Sequence, residues 1–127
     1  MRSTLLVFFG GGLGAVLRYG VNLNAARSLG ANFPWGTLAV NVLGSLAMGL
    51  LAGVFEARAQ DESHQSARLF LMTGILGGFT TFSAFSLDAL ALWERGETAA
   101  ATAYVLGSVV LSIAALGLGL AFVRQMS

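Results

Sequence analysis

Residues 77–86 combine glycine, hydroxyl and aromatic side chains inside a stretch that is otherwise apolar enough to cross a bilayer. They read Gly-Gly-Phe-Thr-Thr-Phe-Ser-Ala-Phe-Ser. Four hydroxyls and two adjacent glycines bring no benefit to a helix that faces lipid, whereas a segment that opens its backbone toward a buried ion needs such residues. The run therefore predicts an interrupted membrane helix beside an ion site.

The interruption has a chemical consequence of its own. If the helix unwinds between Gly77 and Thr80, the released carbonyl oxygens need partners, because the bilayer core contains no water. The carbonyls of Gly77 and Thr80 from two copies of the chain would supply four oxygen ligands. The pattern thus favours a hard monovalent cation such as sodium at the break.

Asn41 lies seven residues into the second apolar stretch, where its amide must find a partner or line a cavity. Its nitrogen carries two donors, which suits an anion, and an interhelical hydrogen bond is the alternative. In the last apolar stretch, Tyr104, Ser108 and Ser112 recur every fourth residue on one helix face. A lone serine often bonds the preceding turn, but a stripe of three hydroxyls favours a polar track.

Aromatic and charged residues complete the candidate chemistry. Phe82 and Phe85 follow Phe79 at every third position, which is typical of helix packing. The positive edge of a ring can also face a dehydrated anion while holding it weakly enough for release. Arg18, a charge well inside the first apolar stretch, either extends to the interface or draws anions into a vestibule, and Asp88 is its nearest candidate partner.

The composition sets the fold class that must position these groups. Of 127 residues, 56% are hydrophobic and 10% are charged, with a mean hydropathy of +0.77, which leaves too little polar surface for a water-soluble globule. Apolar windows cover residues 4–23, 35–55, 67–93 and 98–123, each long enough to cross ~30 Å of hydrocarbon. We predict an all-α integral membrane protein, one transmembrane domain over residues 1–127, with four helices and a broken third.

Other counts exclude further classes. The net charge of +1 is too small to attract nucleic acid. The absence of cysteine excludes disulfides, thiolate metal sites and thiol catalysis. His64 lies with Asp61 and Glu62 in the second loop, where a hydrated turn is a better interpretation than a metal site, and no nucleophile, base and orienting acid come together. We therefore expect no enzyme.

Arginine placement bears on orientation and assembly. Four spans put both termini on one side, with Arg2, Arg58, Arg68 and Arg124 there against Arg27 and Arg95 opposite. So small a bias permits insertion both ways. Two oppositely inserted copies would form an antiparallel homodimer about a twofold axis in the membrane plane.

Glycine pairs four residues apart recur in the first two spans, at Gly10 and Gly14 and at Gly49 and Gly53. Such pairs let helix backbones approach closely. They either pack the helices of one chain together or form a seam between two chains.

Taken together, these residues resemble the Fluc (CrcB) family of bacterial fluoride channels over essentially the whole chain. The resemblance rests on the four-span plan, on the run at 77–86 and on Trp-Gly-Thr-Leu-Ala-Val-Asn at 35–41. It implies a fluoride-selective channel in the bacterial plasma (inner) membrane that passively exports cytoplasmic fluoride. It further implies an antiparallel homodimer with two pores and a central sodium ion that is structural and not transported.

The same resemblance assigns site residues position by position. The pore and fluoride residues that it implies are Asn41, Phe82, Phe85, Tyr104, Ser108 and Ser112. The carbonyls of Gly77 and Thr80 would bind the sodium ion, and Arg18 would lie in the vestibule. Phe79 stands where the family often has leucine or cysteine, so it is left out of the pore.

Two other membrane roles compete with this interpretation. A proton-coupled exporter of the small multidrug type is also built from four helices, but it needs an embedded carboxylate, normally in the first helix. The first span here has none, which leaves Asp88 as the only candidate. A packing subunit without transport would explain the glycines and leave the hydroxyl stripe without a purpose.

Overall fold

The computed structural model describes residues 1–58 and 63–127. Within these ranges five helices follow one another along the chain: α1 (Arg2–Leu29), α2 (Trp35–Ala57), α3 (Ser63–Arg68, continued by Leu69–Leu76 and Gly77–Phe79), α4 (Phe82–Glu94) and α5 (Thr98–Met126). Helices α3 and α4 together form one span, so the described chain has four helical spans long and apolar enough to cross a membrane. The predicted all-α plan with four spans and a broken third is confirmed.

The helices extend beyond the predicted apolar windows, because helical hydrogen bonds continue into the polar residues at each end. Two of the helices end where a glycine takes a positive φ. Gly30 ends α1 with a φ of 86°, in the left-handed region that favours glycine. Gly96 does the same between α4 and α5, with a φ of 80°. The chain therefore reverses direction over residues 95–97, which places α4 and α5 side by side.

The break in the third span lies at Thr80 and Thr81, at the C-terminal end of the stretch between Gly77 and Thr80 where it was predicted. Gly77 is helical, with φ −62° and ψ −37°, whereas Thr80 (φ −81°, ψ 158°) and Thr81 (φ −155°, ψ 118°) are extended. Gly78 serves close contact instead of unwinding, since a Cβ atom added to it would overlap the backbone of Gly11. The two threonines form the link.

The segment Leu69–Leu76 of α3 is a π-helix, a wider winding that is rare and often found near functional sites. It packs against α1, where a Cβ atom on Gly10 would lie 2.7 Å from the carbonyl oxygen of Phe70. One turn further along α1, a Cβ atom on Gly14 would overlap the carbonyl oxygen of Ile75. The first glycine pair therefore joins two helices of the same chain.

The second glycine pair has the same function between α2 and α5. A Cβ atom on Gly49 would overlap the carbonyl of Leu116, and one on Gly53 would lie 2.7 Å from the Cβ atom of Val123. Both pairs thus pack the helices of a single chain, which settles the choice that the sequence left open.

Ion pairs lie at the ends of the helices. Arg124 donates to both carboxylate oxygens of Glu56 at 3.0 Å, joining α5 to α2. Arg95 donates to Glu97 at 2.9 Å and to the backbone oxygen of Asn32 at 2.7 Å. The acids Asp61 and Glu62, weighed above with His64, lie outside the described residues.

Candidate functional site

Hydroxyl groups hold the extended link at both of its ends. The backbone nitrogen and the Oγ1 atom of Thr80 both donate to the carbonyl oxygen of Leu76, at 3.0 and 2.9 Å. Thr81 is the N-cap of α4, because its Oγ1 atom accepts from the backbone nitrogen of Ala84 at 3.1 Å. The break therefore has a defined geometry.

Asn41 reaches across from α2 to this link. Its Nδ2 atom donates to the carbonyl oxygen of Thr81 at 3.0 Å, and its Oδ1 atom accepts from the backbone nitrogen of Thr81 at 2.8 Å. Of the two alternatives that the sequence offered, an interhelical hydrogen bond is thus present, and it is a double one. One of the two N–H groups on the Asn41 nitrogen is used in this way.

A cavity of about 370 Å³ lies beside the link, between α2, α4 and α5. Six residues with polar side chains line it: Asn41, Ser45, Thr80, Thr81, Ser108 and Ser112. The rings of Phe82 and Phe85 complete its wall. The structure thus gathers the predicted amide, two of the three predicted hydroxyls and both predicted pore rings at one place.

Ser108 and Ser112 give this cavity its chemical character. Their Oγ atoms are buried and have no hydrogen-bond partner within the described chain. A buried hydroxyl normally finds a partner, since leaving it unpaired costs about 1–3 kcal/mol. Two such atoms on one face of α5, both lining the same cavity, provide donors for a ligand held there.

The two rings predicted to line a pore have different surroundings. Phe85 is buried, with its ring centroid 5.2 Å from that of Tyr104. Phe82 packs against Phe85 at 5.5 Å, yet 77% of its surface is exposed in the single chain. Phe85 is therefore held by its own chain, whereas Phe82 projects outward beside the cavity.

Tyr104 does not line this cavity. It is 1% exposed, and its hydroxyl donates to the Oδ2 atom of Asp88 at 3.1 Å. The residue stands on the same helix face as Ser108 and Ser112, beneath the Phe85 ring. The Tyr104 hydroxyl proton already has an acceptor, and the residue does not line the cavity. The role of Tyr104 in a polar track therefore stays a prediction.

The remaining predicted residues, Arg18 and Gly77, are not part of the cavity lining. Arg18 is half-buried and forms no ion pair within the described chain, so the suggested pairing with Asp88 is absent there. Gly77 lies in the last turn of α3, before the break. Their assignments to a vestibule and to sodium stay predictions.

Sequence reasoning missed two residues of the site. Ser45 follows Asn41 by one helical turn and lines the same cavity, a spacing that was visible in the sequence and indicates one helix face. The capping role of Thr81 also has a sequence signal, because threonine directly before a helical segment is a preferred N-cap.

Four apolar spans, the third of them interrupted, and a neutral cavity with two unpaired hydroxyls beside the interruption define a polytopic membrane protein of the channel or transporter class. The family model for CrcB-like protein, Camphor Resistance (CrcB), matches residues 5–120. The chain therefore belongs to the CrcB family.

Curated relatives support this assignment over almost the full length. A fluoride-specific ion channel FluC from Methylobacterium nodulans is 61% identical over 98% of this chain and 98% of its own. The protein of that name from Rhodopseudomonas palustris is 57% identical over 97% and 98%, and the one from Rhizobium johnstonii is 54% identical over the whole of both chains. These bacterial relatives carry the names of channels and not of enzymes, and the chain is a multi-pass bacterial membrane protein.

Proposed function

We propose that this protein is a fluoride-selective channel that passively exports cytoplasmic fluoride across the bacterial plasma (inner) membrane. The observation that carries the proposal is the pair of buried, unpartnered hydroxyls of Ser108 and Ser112 in a cavity lined by Phe82 and Phe85. The relatives named fluoride-specific ion channels identify the ion. Movement follows the electrochemical gradient, and no coupling group is required.

The lining suits a small, strongly hydrated anion. Fluoride gives up water only where close N–H or O–H donors replace it, and the serine hydroxyls with the second N–H of Asn41 are such donors. In the described chain, no charged side chain lines this cavity. Ring edges and neutral dipoles hold an anion more weakly than an ammonium group would, so the ion can also leave.

The proposal includes an antiparallel homodimer with two pores. In a single chain the cavity is open and Phe82 is mostly exposed beside it, so a second copy would supply the missing wall. Both membrane faces carry arginine, which favours insertion in both orientations. Arg18 would lie in the vestibule that leads to each pore.

A structural sodium ion would suit the carbonyl oxygens at the break. The nitrogen of Thr81, which would bond the Gly77 carbonyl in an unbroken helix, donates to Asn41 instead. The nitrogen of Ala84, the corresponding partner for the Thr80 carbonyl, donates to the Thr81 hydroxyl. Both carbonyls therefore lack their helical donors, and two copies would present four oxygens, the ligand type that sodium takes. The ion would neutralise these dipoles between the two chains.

Flux from liposomes tests the proposed function. Vesicles loaded with potassium fluoride and given valinomycin should release fluoride much faster when they contain the protein. Matched vesicles loaded with potassium chloride should release chloride no faster with the protein than without it. Phe82→Ile should slow the release at least about tenfold, as a lost ring contact of more than 1.4 kcal/mol would. Phe9→Ile, at an exposed ring outside the cavity, is the matched control. Release no faster than from empty vesicles would refute the proposal.

A further inference from the structure

The double hydrogen bond between Asn41 and Thr81 has the form of a β-bridge. In an antiparallel pair of strands, one residue exchanges both its N–H and its C=O with a single partner. Here the partner is a side chain from a different helix, 40 residues away in sequence, and the distances are 2.8 and 3.0 Å. The Asn41 amide thus takes the place of a neighbouring strand beside the extended link.

Asparagine is suited to this position for a chemical reason. Its amide places one donor beside one acceptor, as a peptide group does. An ionised aspartate has no donor, a leucine of similar size has neither group, and a serine presents a single oxygen. The orientation of the amide is also fixed, because the Thr81 nitrogen must face an acceptor and the Thr81 carbonyl must face a donor.

The Thr81 N–H group, which donates to Asn41, has no other acceptor in the described chain. Unpaired backbone groups at membrane depth are strongly disfavoured, and an interrupted helix persists only where something re-satisfies them. Thr81 is also the N-cap of α4, so its placement sets the start of the helix that carries Phe82 and Phe85. A contact at one residue therefore positions two rings.

We propose that Asn41 is a positioning residue. Its amide pairs with the backbone of Thr81, fixes the break, and thereby sets the position of α4 and of the Phe82 and Phe85 rings beside the cavity. The part of this inference that concerns ion flow rests on the proposed function. It differs from a role as a direct ligand alone, because the amide acts through the protein backbone.

Hydrogen exchange of the Thr81 amide, followed by NMR on the ¹⁵N-labelled protein in micelles, tests the pairing directly. In Asn41→Leu, exchange at Thr81 should become about tenfold faster, since the hydrogen bond is lost. Ser45→Ala, on the same face of α2 and lining the same cavity, should leave the Thr81 exchange rate unchanged. Fluoride release from liposomes by Asn41→Leu should fall at least about tenfold.

Unchanged exchange at Thr81 in Asn41→Leu would overturn the proposal, because the amide would then act on the ion alone. Faster exchange with undiminished fluoride release would overturn it as well.

Should Asn41→Leu fail to fold, Asn41→Asp replaces it: the carboxylate keeps the acceptor for the Thr81 nitrogen and loses the donor. Protected exchange with reduced release is then expected, and full release contradicts the proposal. Wild-type protein that releases no fluoride would refute the proposed function and leave the exchange result to decide the pairing.

Discussion

At the scale of single residues, the hydroxyls of Ser108 and Ser112 lower the stability of the fold and are kept for function. Each is a buried polar atom that no partner in the described chain satisfies, and such an atom costs folding free energy. A protein that keeps two of them on one helix face uses them for something other than its own fold. A ligand that passes through the cavity is the explanation that the surrounding residues support.

Replacing Ser108 by alanine should therefore act in opposite directions on two measurements. The melting temperature of the purified protein should hold or rise, corresponding to about 1 kcal/mol of added stability, because the unpaired hydroxyl is gone. Fluoride release from liposomes should fall several-fold.

The matched control is Thr102→Val on the same helix. The Thr102 hydroxyl already bonds the Thr98 carbonyl at 2.9 Å and is exposed, so release should be unaffected. A Ser108→Ala protein that melts clearly earlier would show that the hydroxyl has a structural partner, and the functional assignment would fail.

At the scale of helices, glycine contacts decide how α1 meets α3. A Cβ atom on Gly14 would overlap the backbone at Ile75 and lie 2.8 Å from the nitrogen of Phe79. Neither neighbour can give way easily, since both are backbone atoms in a helix that ends at the break. Close contact here holds the end of α3, directly before the link at Thr80 and Thr81, against α1.

Gly14→Ala should consequently destabilise the fold by about 3 kcal/mol, through the overpacking of two helices. Gly12→Ala on the same helix should change stability little or raise it by up to about 1 kcal/mol, because a Cβ atom there meets nothing within 4 Å. Thermal unfolding of both variants in detergent measures the difference. Equal melting temperatures would mean that α1 does not approach α3 as described.

How much the sequence could reveal differs between these helices. The four spans follow from hydropathy alone, and the break was predicted to within one turn from the run at 77–86. Its exact place depends on which residue another helix needs for close contact: Gly78 packs against α1 and stays helical with Gly77, while Thr80 and Thr81 extend. The gathering of Ser108, Ser112, Phe82 and Phe85 was anticipated through periodicity and family resemblance. The partners of Asn41 and Tyr104 lie 40 and 16 residues away in the chain, and no local pattern identifies them.

At the scale of the whole molecule, the two membrane faces differ by only two arginines, and one arginine on each face is paired with an acid. Arg124 is neutralised by Glu56 on one face and Arg95 by Glu97 on the other. The arginines that remain give a weak signal for orientation. Insertion in both directions is the expected outcome.

Cysteine labelling of intact cells measures this directly, because the chain has no cysteine of its own. Ser28→Cys and Ser127→Cys keep every arginine and place single thiols on opposite faces, at the ends of α1 and α5. An impermeant maleimide should label about half of each population, relative to permeabilised cells. Labelling at only one of the two positions would contradict the antiparallel arrangement.

The neutral lining of the cavity bears on the conditions in which a bacterium most needs this protein. Acid surroundings convert fluoride into hydrofluoric acid, which diffuses through lipid uncharged and dissociates again in the cytosol. In the described chain, the serines, threonines, amide and rings that line the cavity bear no group that gains or loses a proton across the range in which cells live. The path for fluoride export would therefore stay conductive at low external pH, when most fluoride enters the cell.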